Sequence, residues 1–585
     1  MSFEKTISGS VTIAETTVFK GLVIEEGSVL SAPEGKMLTM SVNGVGCSVA
    51  PGKYEGEVVL TVTEDIPFQF YCFKTPHHYK AAVCTENGKY VAEKSVSAIA
   101  QGAKIADGSL KDAVIVTKEP AFNGVFVDGD GEYTIENCKI DLEGNGANDF
   151  AGYGAGVMTN GSVDLTVNNC DIHTKGAARG ALFVGGHSNI NVNNSRVSAE
   201  NGTLPEGYKD TIGLGKMMAV PWMLGLRGNC RATNLVDYAT AHYNNCHVTA
   251  ESWGVLSTDI VDSVKLYVKD SLVEITGKSG YGSYSIGDSF NSFENTTFNC
   301  PDYALIVANG PAGGRFTNCV VNTGRNAVMS FQNKGGELIV EDGSVFNTDK
   351  ATFILKGSPL QIKVDRSRLN PANGVVVQVI DCDDPGNPGG WYIDPIGPDV
   401  ANPERDLFTA KQGRDPIVTF TNMEVKGDIF NASSNLAFDR SGFPPMEMPM
   451  DDMPQDSPDA GIPIGKPKGD QAMNLSVKLK YAGIEGVISA ATAKHAAARI
   501  DKSNCEELGN VINTPCEAVN NGVIVSLDST SAWTVTGTSY LTSLELEKGA
   551  VIKGKDGKAV KMTVDGKETE IAAGKYTGKI VLSVA

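Results

Sequence analysis

Short runs in which apolar and polar residues alternate with a period of two cover most of the chain, and this spacing predicts β-strands. A three-residue element, such as Asn168-Asn169-Cys170, separates many of the runs. Its middle residue recurs ten times, as Asn137, Asn169, Asn194, Asn245, Asp270, Asn295, Asn318, Asp342, Arg366 and Asn422. The steps between these residues are 32, 25, 51, 25, 25, 23, 24, 24 and 56. A period near 24 without a helical pattern predicts a solenoid whose coils bury their apolar faces against each other.

The recurring element predicts a turn at one corner of each coil, because Asn tolerates the left-handed backbone conformation and bonds to its neighbours. Four cysteines occupy the same place after the middle residue: Cys138, Cys170, Cys246 and Cys319. We expect them to pack as a buried ladder, since free cysteine is among the most buried residue types; a redox or metal role is the alternative. The pattern as a whole predicts an all-β chain folded as a three-faced parallel β-helix.

One strand of each coil aligns in a second column, which we call face A. Its strands begin at Ala155, Gly180, Trp222, Trp253, Tyr281, Tyr303, Asn326, Ala351 and Asn373. A small Ala or Gly is common in the second place and a large apolar residue in the fourth. Strict alternation then points the second and fourth side chains into the coil and the first, third and fifth toward solvent.

The two ends of the chain match each other without a gap at an offset of 522 residues, as in Gly27 with Gly549 and Tyr54 with Tyr576. We therefore predict an N-terminal β module (1–64), a connecting segment with the first coils (65–110), the β-helix (111–530) and a homologous C-terminal β module (531–585). Such modules cover the open ends of a solenoid, which are otherwise edge strands. Contacts between copies of the chain are the second interpretation.

Insertions interrupt the coil period at four places: 143–154, 199–218, 381–413 and 440–470. The first two precede a face A strand and the third follows one, so they lie on opposite edges of the same face. Long loops on a rigid scaffold commonly carry function. Face A is therefore predicted to be the base of a groove between loops.

The first column of face A holds aromatic residues in successive coils, and one reading is a stacking platform for sugar rings or another planar substrate. The candidate substrate-binding residues are Trp222, Trp253, Tyr281, Tyr303, Tyr208 and Asn309. The alternative is that the inserted loops cover these rings as additional core.

Asp259 and Asp288 end neighbouring face A strands and form a candidate acid–base or acid–nucleophile pair at the spacing that glycosidases use. His187 is an alternative general base, and Arg227 is a candidate for charge stabilisation. Aspartate at a strand end is also a common turn former, and an isolated histidine commonly has a structural role. Lys209 and Asp210 in the second insertion are weaker candidates.

The chain has 585 residues, 50 Lys and Arg against 69 Asp and Glu, and a net charge of −19. This balance argues against nucleic acid or an anionic membrane as a partner. The twelve cysteines show no zinc-ligand spacing, and there is no phosphate-binding loop or Rossmann fingerprint, so we predict no metal and no cofactor. The acidic loop with Asp381, Asp383, Asp384, Asp394 and Asp399 leaves calcium open.

No apolar signal-peptide segment or membrane span is visible, which predicts a cytoplasmic protein; a mature secreted form with an added Met would look the same.

The coil period and the Asn and Cys turn positions resemble the right-handed parallel β-helix proteins of the pectate-lyase-like superfamily, over about residues 95 to 545. The segment 531–554 also resembles the last coils of bacterial surface β-helices. The resemblance implies polysaccharide lyases, glycoside hydrolases, epimerases or adhesins. Gly186-His187 is followed by Ser188, not Gly, and the other galacturonan motifs are missing, so activity on galacturonan is not supported.

Three functions follow from these patterns. The first is a carbohydrate-active enzyme, a glycoside hydrolase or lyase, that takes a small-molecule or oligosaccharide substrate in the face A groove. The second is a non-catalytic adhesin or structural solenoid, and the third is an intracellular enzyme for a small aromatic or glycosidic metabolite. The matching end modules further predict a small closed homo-oligomer rather than a filament.

Overall fold

The computed structural model describes residues 5–68, 77–208, 219–261, 263–331, 333–383, 406–432, 436–437, 472–498 and 500–584. These residues form two compact units. The first contains the described residues up to Val220 together with Gly228–Lys278, and the second contains Pro221–Arg227 and the described residues from Ser279 onward.

The first unit is a parallel β-helix with three walls, preceded by an antiparallel module. The first wall contains Asp130–Glu136, Ser162–Asn168, Asn189–Asn193, Thr240–Asn244 and Val264–Lys269. The second wall contains Val114–Thr117, Lys139–Glu143, Asp171–Lys175, Arg196–Glu200 and the start of His247–Val261. Face A contains Phe122–Asp128, Val157–Thr159, Leu182–Val184, Arg231–Asp237 and the end of His247–Val261. The strands at the start are His77–Glu86, which has ten residues, and the shorter Lys89–Tyr90, Ala100–Gln101, Lys104–Ala106 and Ser109–Lys111.

The second unit repeats this three-walled arrangement. Its first wall contains Ser289–Glu294, Gly313–Thr317, Glu337–Glu341, Gln361–Asp365, Ile417–Thr421, Leu475–Lys480 and Val523–Leu527. Its second wall contains Thr297–Cys300, Val320–Thr323, Val345–Thr348, Arg368–Pro371, Glu424–Lys426, Gly483–Gly486, Ala532–Val535 and Val551–Gly554. Its face A contains the end of Leu272–Ile286, then Tyr303–Ala308, Asn326–Phe331, Phe353–Lys356, Val375–Ile380, Asp428–Asn431 and Ile488–His495, the last of which also pairs with Leu436–Ala437 and Val511–Pro515.

The strand pairing confirms the predicted parallel β-helix. Asn189–Asn193 pairs in parallel with Thr240–Asn244, and Gln361–Asp365 pairs with Ile417–Thr421. Strands far apart in the chain are therefore neighbours in space, because each insertion leaves and returns within one coil. The long steps in the sequence are thus single coils that carry an insertion.

Helical structure among the described residues is limited to 3₁₀ turns: Ala92–Lys94, Ser97–Ile99, Trp222–Leu224, Lys502–Glu507 and Lys555–Gly557. In this part of the chain no helix has the length and apolar character needed to cross a membrane.

The recurring Asn element forms a turn, as predicted. All ten middle residues have a positive φ, between 43° and 55°. The residue that follows the middle one is buried at nine of the ten positions; Gly343 is the exception, and Ser344 is buried in its place. The backbone N–H of Cys319 donates to Ser344 Oγ at 3.0 Å, and burial raises the pKa of the Cys319 thiol to about 12. Burial raises the pKa of the Cys246 thiol as well, so both cysteines are packed as neutral thiols.

Replacement of Asn245 tests the turn ladder. Asn245 has a φ of 52°, and its Nδ2 donates to Asn194 Oδ1 at 2.8 Å. We expect Asn245→Ala to lower the free energy of unfolding by about 1–2 kcal/mol, because Ala disfavours the left-handed conformation. Asn245→Gly should recover part of this loss, since Gly adopts that conformation freely. Urea denaturation of the three proteins measures both effects; equal stability of the Ala and Gly variants would contradict the assignment.

The two end modules have the same structure, at the offset seen in the sequence. Thr17–Ile24 pairs antiparallel with Gly52–Glu64, and Ser539–Leu546 pairs in the same way with Gly574–Val584. Both pairs shift register at the matching place, after Phe19 and after Leu541. The remaining module strands are Lys5–Ile7, Ser10–Thr12, Val29–Ser31, Lys36–Val42, Val45–Cys47 and Ile66–Phe68 at the start, and Val560–Val564 and Lys567–Thr569 at the end.

Candidate active site

The outer surface of face A is covered. Every residue of Tyr303–Ala308 and Asn326–Phe331 in the second unit, and of Arg231–Asp237 in the first, is buried. By contrast, Val264–Lys269 on the first wall alternates between buried and exposed residues, as a strand with one face in solvent does. The side of face A that was expected to be an open groove is therefore packed against other parts of the chain.

In two face A strands of the second unit, the third residue lies on the side opposite to the prediction. A Cβ on Gly314, which lies on the first wall, would stand 2.8 Å from Leu305 Cδ2, so the third residue of this strand points into the coil. Phe353 likewise packs on Phe346 of the second wall, with ring centroids 6.2 Å apart. Ile354 and Lys356, on the other side of the same strand, instead lie close to Gly509, which belongs to a segment that packs on the outer surface of face A.

Other face A strands have an irregular backbone at their start, which the sequence pattern does not reveal. Trp253 has a φ of 56°, and Gly280, just before Tyr281, has a φ of 153°. An irregular residue at the start of a strand changes the phase of all side chains that follow it, because the period is two. The first residue of the strand therefore no longer shares a side with the third and fifth.

The structure favours the second interpretation of the aromatic column, in which other parts of the chain cover the rings. Trp253, Tyr281 and Tyr303 are buried, at 3%, 1% and 0% exposure. Trp222 is half-buried, and it lies in a 3₁₀ turn. The strand predicted from Trp222 is therefore wrong: this coil's face A strand is Arg231–Asp237, which pairs with Leu182–Val184.

Pro221 and Gly225 explain the difference. Pro221 precedes the 3₁₀ turn, and Gly225 ends it with a φ of 74°. A strand does not readily continue through a left-handed glycine. Because the strand was predicted from Trp222, the sequence analysis did not identify Arg231 as a face A residue. Pro221 and Gly225, on either side of Trp222, were the sequence features that indicated a turn there.

Arg231 lies at the centre of a buried charge cluster in the first unit. Its Nε donates to Asp149 Oδ2 at 2.7 Å, and its Nη1 donates to Asp259 Oδ2. The guanidinium also lies over the rings of Phe150 and Trp253, 4.4 and 4.7 Å from their centroids. The side chains of Arg231 and Asp149 are each 2% exposed, whereas that of Asp259 is 12% exposed. We call Arg231, Asp149 and Asp259 the carboxylate cluster.

The electrostatics of the cluster distinguish its two acids. Burial raises the pKa of Asp259, and the neighbouring Arg231 only partly offsets this effect. Asp149 Oδ1 is buried and has no hydrogen-bond partner within the described residues. A carboxyl group with a raised pKa beside a second acid that has a free oxygen is an arrangement that general acid–base chemistry uses.

The insertion at 143–154 brings Asp149 to the face. Within it, Phe150 N donates to Asn148 Oδ1 at 2.9 Å, which forms a tight turn. Tyr79 Oη donates to the Ala151 carbonyl oxygen at 2.7 Å and fixes the insertion against the strands. The buried Arg179 donates to the Glu143 carbonyl oxygen at 2.7 Å and so holds the start of the insertion.

A second charged cluster lies on face A of the second unit. Asp383 binds Lys356 Nζ at 2.7 Å, His495 Nε2 at 2.8 Å and the Gly509 backbone N–H at 2.6 Å. Lys356 and Asp383 have side chains 2% and 0% exposed. Burial disfavours the charged form of Asp383, but Lys356 and His495 outweigh it, so its pKa lies below the usual range.

Arg325 joins face A of the second unit to two segments that pack on its outer surface. It donates to the Gly225 carbonyl oxygen at 2.9 Å and to the Leu508 carbonyl oxygen at 2.5 Å. Its guanidinium lies over the Tyr303 ring, 4.7 Å from the centroid. Tyr303 Oη is buried and has no hydrogen-bond partner among the residues that the structure describes.

The predicted catalytic residues differ in burial and in their contacts. Asp259 is buried in the first unit, whereas Asp288 is exposed in a turn of the second. Arg227 donates to Glu506 Oε2 at 2.6 Å and to the carbonyl oxygens of a nearby 3₁₀ turn. His187 is exposed and stacks on Tyr238, with ring centroids 4.5 Å apart.

The remaining predicted residues are placed as follows by the described part of the chain. Tyr208 Oη accepts a hydrogen bond from Ala219 N at 2.7 Å. Asn309 is a turn residue with a φ of 46°. Lys209, Asp210 and the acidic residues Asp384, Asp394 and Asp399 lie outside the described residues, as does the whole insertion 440–470. Among the described residues, no group of three or more acidic, His or Cys side chains could hold a metal ion.

No protein-family model matches the chain, and no curated protein matches it. The chain is similar to a solved structure of a DFA-IIIase mutant from Arthrobacter chlorophenolicus A6, at 11% sequence identity and a TM-score of 0.21. The match covers 75% of this chain and 88% of that chain.

Proposed function

We propose that the protein is a carbohydrate-active enzyme of the glycoside hydrolase or lyase type that acts at the carboxylate cluster. The observation that supports this most is the pair of acids, Asp149 and Asp259, on either side of one buried arginine. Buried charges are costly to a fold, and perturbed acids in such a place are common at active sites.

The environments of the two acids suggest their roles. Asp259 has a raised pKa and is the more exposed of the two, so it is the candidate general acid that protonates the departing oxygen. Asp149, with its unpartnered Oδ1, is the candidate base or nucleophile. Arg231 holds both carboxyl groups, and Trp253, whose ring it covers, positions the guanidinium.

The covered outer surface of face A favours a small substrate. A site of this kind fits a glycoside or a short oligosaccharide better than a polysaccharide chain, which needs an open groove. The same observation favours the second candidate, an enzyme for a small aromatic or glycosidic metabolite. A non-catalytic adhesin would leave the cluster without a chemical role.

The experiment is a screen of glycosides and oligosaccharides with the wild type, followed by substitution of the acids. We expect Asp259→Asn to lower kcat by about 100-fold or more, because general acid catalysis contributes about 10²–10⁴-fold. Activity of the wild type should also fall as the pH rises through the pKa of Asp259, and this decline should be absent from the variant. Asp149→Asn should lower kcat similarly.

Asp288→Asn is the matched control, since Asp288 is an exposed aspartate whereas Asp259 is buried. His187→Ala and Arg227→Met test the other predicted catalytic residues in the same assay. Loss of activity in Asp288→Asn together with full activity in Asp259→Asn would show that the cluster is not the site.

A further inference from the structure

The two end modules share one structure, but among the described strands only the C-terminal module has a neighbour on the outer side of its first strand. In the C-terminal module, Ala532–Val535 lies between Gly483–Gly486 of the preceding coil and Val551–Gly554. In the N-terminal module, the equivalent strand Ser10–Thr12 pairs with Val29–Ser31. No other strand of the described chain pairs with Ser10–Thr12.

The equivalence of the two strands holds at the level of single hydrogen bonds. Val29 N donates to the Gly9 carbonyl oxygen at 3.1 Å, and Val551 N donates to the Ser531 carbonyl oxygen at 3.0 Å, both at the offset of 522 residues. Ala532 N, the counterpart of Ser10 N, donates to the Ala482 carbonyl oxygen of the preceding coil at 3.1 Å. The edge of Ser10–Thr12 is therefore built to accept a parallel strand.

The apolar side chains that lie in register on these strands are also buried to different extents in the two modules. In the C-terminal module Val425, Ile484, Trp533 and Ile552 stand in register on neighbouring strands. Trp533 is 0% exposed because the preceding coil covers it, and its Nε1 donates to the Gly486 carbonyl oxygen at 2.9 Å. Its counterpart Val11 is only half-buried. At the other end of the column, Ile552 is also half-buried.

Val551–Gly554 offers the complementary edge. Its partner is Ala532–Val535, and no described strand pairs with its other side. Because Val551 N–H points to Ala532–Val535, alternation directs Ile552 N–H to the open side. Val551 is 47% exposed at this edge. Unprotected edges of this kind are where strands from another chain add.

We propose that Ser10–Thr12 of one copy of this chain adds in parallel to Val551–Gly554 of another copy. The added strands continue the four-stranded sheet of the C-terminal module, and Val11 covers Ile552 in the column that Trp533 and Ile484 begin. The contact joins two different surfaces, so it is heterologous and gives a ring if the rotation closes and a filament if it does not. This inference does not depend on the proposed enzymatic function.

Two proline variants test the contact, because each removes one N–H from an open edge without removing a backbone hydrogen bond inside the module. Thr12→Pro blocks the first edge and Ile552→Pro blocks the second. We expect the wild type to grow in mass with concentration in sedimentation velocity and light scattering. Each variant alone should be monomeric, and an equimolar mixture of the two should form dimers of twice the monomer mass, because each variant keeps one intact edge.

Val18→Asp is the matched control, since Val18 is 60% exposed on a strand of the same module that has neighbours on both sides. It should associate like the wild type. Circular dichroism and thermal unfolding establish that each variant is folded; where a proline variant is not, Ser10→Asp and Val551→Asp replace the pair. A wild type that stays monomeric at all concentrations, or variants that associate like the wild type, would overturn the proposal. If one variant associates with itself, the proposed contact is wrong and a symmetric contact takes its place.

Discussion

Replacement of Arg231 by Met is expected to lower the free energy of unfolding by about 3–5 kcal/mol at neutral pH, because it leaves Asp149 and Asp259 buried without their shared cation. Arg231 supplies hydrogen bonds to both carboxyl groups and is 2% exposed. The methionine retains the apolar contact with Phe150 and Trp253, so the loss reports mainly on charge. Urea denaturation followed by circular dichroism measures it.

The loss in Arg231→Met should shrink as the pH falls, because protonation neutralises the two unpaired acids. Arg227→Met is the control: the Arg227–Glu506 pair has side chains 45% and 50% exposed, and surface pairs contribute about 0–1 kcal/mol. Equal losses in the two variants would show that the carboxylate cluster is not tightly buried in solution.

Asp383→Asn is the second substitution with a large expected effect, about 3–5 kcal/mol at pH 7, because Lys356 then stays buried without its counter-ion. The pH dependence has a definite sign. Burial raises the pKa of Asp383, but Lys356 and His495 outweigh this effect and hold the pKa below its usual range. The stabilisation is therefore complete above the unfolded pKa of about 3.9 and is lost as the pH falls through the folded value.

We accordingly expect the wild type to lose stability in acid more steeply than Asp383→Asn, so that the two curves of unfolding free energy converge below about pH 4. Chemical denaturation at a series of pH values measures both curves. Asp342→Asn is the isosteric control, since Asp342 is 48% exposed and pairs with Arg366 at the surface. Parallel curves for the wild type and Asp383→Asn would contradict the role given to Asp383.

The two clusters have a common origin in the covering of face A. Insertions and terminal segments place polar groups on a sheet surface that is closed to water, and each buried charge there has an opposite charge beside it. In the first unit Asp149 comes from an insertion and Arg231 from a strand, whereas in the second unit Gly509 and His495 come from segments near the end of the chain. The proposed activity is assigned to the first cluster because it has two acids and an unpartnered carboxylate oxygen.

The local pattern of the sequence determined the coil period, the turns and the relation between the end modules. All ten middle residues of the recurring element adopt the left-handed conformation, because a corner of this kind depends on a few neighbouring residues. Asn245 and Arg366, residues of very different chemistry, were both identified by their spacing alone. The ungapped match of the ends likewise reproduces the strand register, since equal spacing of apolar residues requires equal pairing.

Only the tertiary structure decided which side of face A is covered and which residues meet there. Asp149 and Arg231 are 82 residues apart, and Lys356 and His495 meet Asp383 from different coils. No local pattern carries these contacts, because they depend on where an insertion folds back. The side on which a face A side chain lies depends in turn on irregular backbone such as that of Trp253, which has a φ of 56° that alternation in the sequence does not reveal.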